Sequence, residues 1–141
     1  MSNRTIDLFF SNYRLLPDWQ AFAAAQRKLL AKDVVIISHD HRGDRVGAGL
    51  NAYIEEVRDA GLTFEATGDR RMEIFDASPD QITVRIRGTV CLRSPLGNVS
   101  EFPDGQHLWT ETFRFDADGK ITQLEGRITF KTAANAESSA A

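Results

Sequence analysis

Nine residues near the C-terminal end restrict the fold more than any others. From position 107 the chain reads His-Leu-Trp-Thr-Glu-Thr-Phe-Arg-Phe, so His107, Trp109, Glu111, Phe113 and Phe115 alternate with Leu108, Thr110, Thr112 and Arg114. Successive side chains of a strand point to opposite faces, so one face of this segment is aromatic and has to be covered. A carboxylate, Glu111, stands in the middle of that face. Asp116-Ala-Asp-Gly119 then supplies turn residues, and Ile121 to Phe130 is expected to return beside it as the second arm of a hairpin. A second alternation sets Ile82, Val84, Ile86, Val90 and Leu92 against Thr83, Arg85, Arg87, Thr89 and Cys91, again an antiparallel strand with one buried face.

The cover for such a sheet is found upstream. Ile6, Phe9, Phe10 and Tyr13 recur at helical spacing, and Trp19, Phe22, Gln26, Leu29 and Leu30 do so again after Pro17-Asp18. Two amphipathic helices are therefore expected to meet at the proline. From Asp33 the run Val-Val-Ile-Ile predicts a buried strand that stops in the polar turn Ser38-His-Asp-His-Arg-Gly-Asp44. Leu50, Tyr53, Ile54 and Val57 mark a third helix, with Gly61 placed to end it. Residues 94 to 105 read as an extended loop expected to rim a pocket. Helices followed by long antiparallel strands describe an α+β domain: a cone-shaped, curved antiparallel sheet wrapped against three N-terminal helices. One domain is expected over residues 1–131, with an Ala/Ser-rich tail at 132–141 that has little to bury and is expected to be disordered.

Composition narrows the function classes. The 141 residues carry a formal net charge of -3 with basic residues scattered, which gives no general attraction for phosphate backbones. Nucleic acid is not an expected partner. The single Cys91 rules out an intrachain disulfide and has no activating neighbour in sequence, so it reads as structural. No apolar run approaches bilayer length, no cluster has zinc-ligand spacing, and the N-terminal residues lack the character of a secretion signal, so a cytoplasmic protein without metal or other cofactor is expected.

The chemistry that these residues suggest is proton transfer. A carboxyl group in an apolar cavity loses hydration, so its pKa rises and it can hold a proton near neutral pH; Glu111 between Trp109 and Phe113 meets that condition. A base needs polar company, and His39 or Asp40 at a strand end has it. On residue pattern alone, Glu111 reads equally well as a half-exposed strand residue paired with Arg114 or Arg127, His39 and Asp40 as turn residues, and Tyr13 as a packed ring.

The stretch Phe113-Arg-Phe-Asp-Ala-Asp-Gly-Lys-Ile121, preceded by an acid at 111, resembles the last hairpin of the ketosteroid-isomerase and polyketide-cyclase (SnoaL-like) branch of the nuclear transport factor two-like superfamily. The order of elements agrees over roughly residues 5–130. The resemblance implies a cystatin-like α+β barrel enclosing a cavity, with Glu111 as the cavity acid, His39 or Asp40 as the second acid–base group, and Tyr13 as an oxyanion donor. It also implies that Trp109, Phe113, His107, Tyr53, Phe10, Glu125 and Arg127 contact substrate. Glu111 stands where the family usually has Asp, and Glu125 and Arg127 stand near a usual tryptophan. The function so implied is a cofactor-independent cyclase, isomerase or dehydratase acting on a hydrophobic, oxygenated small molecule, such as a polyketide or terpenoid intermediate. A non-catalytic ligand-binding or dimerisation domain and an epoxide hydrolase are the alternatives on the same fold. A homodimer is expected through the Thr/Arg stripe of the strand from Ile82 to Leu92.

Overall fold

The computed structural model describes residues 2–66 and 69–131. The expected tail at 132–141 lies outside the described residues. Helix α1 (Ser2–Ser11) runs into a short 3-10 turn (Asn12–Leu15), and α2 (Trp19–Arg27) follows with Asp18 as its cap, its carboxylate accepting from the Ala21 N–H at 3.0 Å. Leu29 and Leu30, expected to continue α2, lie beyond it. Leu30 opens strand β1 (Leu30–Asp40), because the Leu29 carbonyl is taken by the N–H of Ile121 at 2.9 Å.

Strand β1 is longer than the Val-Val-Ile-Ile run indicates. Ser38, His39 and Asp40 are still in the strand, paired with β2 (Gly43–Ala48) in the register His39↔Asp44 and Asp40↔Gly43. The expected polar turn is thus a tight hairpin whose tip is His41-Arg42, with Gly43 at φ 95°. Helix α3 (Leu50–Thr63) passes through Gly61 instead of ending there. Strands β3 (Phe64–Ala66), β4 (Arg71–Ser78), β5 (Gln81–Arg87), β6 (Val90–Arg93), β7 (Val99–Phe102), β8 (His107–Phe115) and β9 (Ile121–Phe130) complete the chain.

Six strands form the main sheet in the order β2-β1-β9-β8-β5-β4, and β3-β6-β7 form a second sheet. Among the described residues all pairs are antiparallel except β1 with β9. The expected cone-shaped α+β architecture holds, with this one parallel pair. Pairing puts Ile82, Phe113, Leu124 and Ile36 in one row and Val84, Glu111, Gly126 and Ser38 in the next, all on the face turned to the helices. Phe9, Phe22 and Phe113 are fully buried, and the ring centroids of Phe9 and Phe113 are 5.1 Å apart. Each such ring contributes roughly 2–3 kcal/mol by leaving water.

The alternation from Ile82 to Leu92 is real but interrupted. Gly88 takes φ 108° and bends the strand, so β5 stays in the main sheet while β6 enters the second. The stretch expected as a loop, residues 94–105, contains β7 paired to β6, and none of its residues lines the cavity. At the bend, a Cβ on Gly88 would lie 2.8 Å from the Asp69 carbonyl oxygen and 2.9 Å from Arg70 Cα. Gly88→Ala is therefore expected to cost roughly 2–4 kcal/mol, combining backbone strain with a clash against main chain. Gly97 has φ 87°, but a Cβ there would meet nothing within 4 Å, so Gly97→Ala should cost only about 1 kcal/mol. Urea denaturation of the two variants measures the difference.

Candidate active site

Between the helices and the concave face of the sheet lies a cavity of about 340 Å³. Phe10, Leu16, Ile36, Val57, Ile86 and Ile128 make much of its wall apolar, and Tyr13, Tyr53, Trp109 and Glu111 add polar atoms. This is the lower end of the size range of small-molecule sites.

Glu111 sits on β8 opposite Gly126 of β9, and the glycine makes room for it. A Cβ at position 126 would fall 2.8 Å from Glu111 Oε2 and 3.1 Å from Oε1. The Trp109 indole N–H donates to Glu111 Oε1 at 3.2 Å. Burial pushes the Glu111 carboxyl up to about 7, the nearby Glu56 charge adds to the rise, and the Trp109 hydrogen bond opposes it. A carboxyl group tuned in this way can both give and take a proton near neutral pH.

The second polar group is prepared by a chain of hydrogen bonds through the helices. Gln26, fully buried on α2, donates from its side-chain nitrogen to the Phe9 carbonyl at 3.1 Å and to the Tyr53 hydroxyl at 2.9 Å, while its oxygen accepts from Asn12 at 2.8 Å. The Phe9 carbonyl can only accept, which fixes the orientation of the amide. Both amide protons are then used. The Tyr53 hydroxyl, which accepts from Gln26, shares a hydrogen bond with the Tyr13 hydroxyl 2.7 Å away, in which either oxygen can be the donor. Tyr13 lines the cavity, so its hydroxyl is within reach of whatever occupies it. Burial raises both phenols far above the ordinary tyrosine range, and the Glu111 charge raises them further, so both stay protonated donors.

The candidates from β1 behave differently. Asp40 borders the cavity, but Arg42 binds it at 2.8 Å and Arg45 at 2.9 Å, and both arginines also hold Glu56 of α3, at 2.8 and 2.6 Å. Burial alone would raise the Asp40 carboxyl, yet the Arg45 and Arg42 hydrogen bonds together outweigh it and hold the group far below the usual carboxylate range. With its side chain only 6% exposed and its oxygens committed to guanidinium groups, Asp40 does not fit the expected role of base. His39 is in register with Arg127, on the sheet face opposite Glu111. Its ring nitrogens meet Asp44 and Glu125, each at 2.8 Å, and those two bonds raise its pKa. It reaches the cavity border but its nitrogens are spent elsewhere.

Four further expectations are revised by the same registers. Phe113 is buried against Phe9 and Phe10 and is absent from the cavity wall. His107 shares the face of Trp109 but is buried at the bend, its Nε2 bonded to the Gly88 carbonyl at 2.6 Å, and it does not line the cavity. Glu125 is on the outer face with His39, and Arg127, though bordering the cavity, is paired in register with Thr110 on that outer face as well. Trp109, Tyr13, Tyr53, Phe10 and Glu111 are the expected residues that converge on the cavity. Gly126, Arg42 and Glu56 line it without having been expected, with Gln26 behind Tyr53 and Arg45 behind Asp40 and Glu56. Gln26 alone leaves a signal in the sequence, a polar residue within an otherwise apolar helical stripe. Among the described residues no group of His, Cys, Asp or Glu is arranged to hold a metal ion, and no helix is long and apolar enough to cross a membrane.

Solved structures share this architecture. A nuclear transport factor two-like protein from Burkholderia xenovorans LB400 superposes with a TM-score of 0.67 at 17% identity, covering 96% of this chain and 94% of its own. A Mesorhizobium loti protein provisionally assigned as a SnoaL-like polyketide cyclase gives 0.56 at 19% identity, with coverage of 89% and 97%. A Mycobacterium tuberculosis protein solved with estradiol-17β-hemisuccinate gives 0.56 at 22%, with coverage of 89% and 98%. No family model matches the sequence, and no curated protein does. These likenesses show the fold, a nuclear transport factor two-like α+β cone.

Two measurements address Glu111. Its folded pKa is raised from 4.5 to about 7, so the folded state holds the proton more tightly than the unfolded chain, and stability falls as pH rises through that window. Glu111→Gln lacks this loss. The variant should gain on the wild type between about pH 4 and pH 7, reaching on the order of 2–3 kcal/mol above it, by denaturation across pH. Gly126→Ala should leave stability within about 1 kcal/mol, since the crowded atoms are the mobile end of a side chain. It should, however, push the carboxyl off the sheet into the cavity and lower its titration midpoint, read by carbon-13 NMR of Glu111.

Proposed function

We propose that this protein is a cofactor-independent enzyme that transfers a proton at a carbon next to a carbonyl, on an apolar, oxygenated small molecule. The observation that carries this reading is the convergence on one cavity of the Glu111 carboxyl, which burial tunes toward neutrality, and the Tyr13 hydroxyl, held 2.7 Å from that of Tyr53. As carboxylate, Glu111 takes the proton from carbon; the electron pair moves to the carbonyl oxygen, which accepts the Tyr13 O–H. The carboxylic acid then returns the proton at the same or another carbon. Isomerisation, cyclisation and dehydration all contain this step. A positioned acid–base group is worth about two to four powers of ten in rate, and an oxyanion donor about two to three. With Asp40 committed to arginines, Glu111 carries the proton alone.

Sharing a fold with proteins assigned as polyketide cyclases and with one that holds a steroid ester supports a substrate of that apolar class. Association as a homodimer through the outer sheet face is part of the same reading.

The test is hydrogen–deuterium exchange at the α-carbon of a naphthyl β-ketoester in heavy water, followed by proton NMR. The wild type should accelerate it saturably, with Glu111→Gln losing at least about a hundredfold and Tyr13→Phe about tenfold or more. Exchange unchanged in Glu111→Gln would leave the cavity a binding site without this chemistry.

A further inference from the structure

Most of the charge around the cavity is paired, and one unpaired group has a defined place. Arg42 and Arg45 are neutralised by Asp40 and Glu56, and Arg127 is in register on the outer face. Arg70 is different. It lines the cavity and is close enough to Tyr13 for its charge to act on the phenol, yet no carboxylate among the described residues comes within 4 Å of its guanidinium.

Its main chain is nevertheless anchored. The Asp69 carboxylate accepts from the Thr89 N–H at 3.0 Å and from the Thr89 hydroxyl at 3.0 Å, and the Asp69–Arg70 backbone rests on Gly88, where there is no side chain to hold it off. On the other side Arg71 begins β4 and is paired with Asp104 at 3.1 Å. Both neighbours of Arg70 are thus anchored, and Arg70 itself is held at the cavity wall with its donors unused by any described residue.

We infer that Arg70 is a recognition point for an acidic group of the ligand, so that the natural ligand has an apolar body, a carbonyl directed at Tyr13, and a carboxylate at its outer end. This rests on the proton-transfer reading for the direction in which the ligand lies. A guanidinium offers two parallel N–H donors that match a carboxylate, and a single such group suits one negative charge. Of the other arginines on the cavity wall, Arg42 is spanned by Asp40 and Glu56, and Arg127 extends from the outer face of the sheet.

The probe is 4-(2-naphthyl)-4-oxobutanoate beside its methyl ester, with affinities measured by calorimetry at low ionic strength. The wild type should bind the acid roughly three- to tenfold more tightly than the ester, the range for an exposed but well-aligned arginine pair. Arg70→Lys should keep most of that preference, Arg70→Gln should abolish it, Arg70→Glu should reverse it, and added salt should shrink it in the wild type. Equal binding of acid and ester by the wild type, or a preference that survives Arg70→Gln, overturns the inference. If acid and ester bind alike while α-carbon exchange still depends on Glu111, the anion site fails and the proposed chemistry stands. If the preference follows Arg70 while no exchange occurs, the ligand class stands and the chemistry fails. If neither probe binds, both are wrong.

Discussion

One buried amide organises much of this molecule. Gln26 has no contact with solvent, and its three hydrogen bonds reach the end of α1, the turn that follows it, and α3. A polar group without partners in such a place costs about 1–3 kcal/mol, so the three helices have to meet in one arrangement for it to be satisfied. That arrangement roofs the sheet. Through Tyr53 it is also joined to the Tyr13 hydroxyl, and so to the polar part of the cavity wall. Architecture and chemistry here depend on the same side chain.

What can be read in the sequence follows from periodicity. The aromatic face of β8 is legible because alternation is a local property, and it correctly places Trp109 and Glu111 on the concave side. The same alternation cannot tell cavity from core: Phe113 lies one row further along, under Phe9, and only the depth of the helices separates the two cases. Asp40 is misread for a different reason. Its environment is set by Arg42 and Arg45, which come close only because residues 38 to 40 extend the strand into a hairpin, and by Glu56 on a helix that the pattern places but cannot orient. His39 and Glu125 form a pair across β1 and β9 that a fully antiparallel sheet would not suggest.

The features that are illegible are those made of absence. Gly126 matters because a side chain is missing opposite Glu111, and Gly88 because one is missing beneath Asp69 and Arg70. A glycine in a strand reads from sequence only as a weak point. In the folded molecule each marks a close approach, one of a carboxyl group to main chain and one of a chain reversal to a bent strand.

The four-charge cluster of Asp40, Arg42, Arg45 and Glu56 has a mechanical consequence. It joins the tip of the β1–β2 hairpin to α3 through charge, whereas the rest of the roof is joined to the sheet by apolar contact. Ionic screening weakens the first kind of link and leaves the second largely untouched. The domain therefore has a soft edge and a firm centre, and the soft edge borders the cavity. Salt acts on that edge as a selective solvent, loosening one part of the cavity wall while the rest keeps its shape.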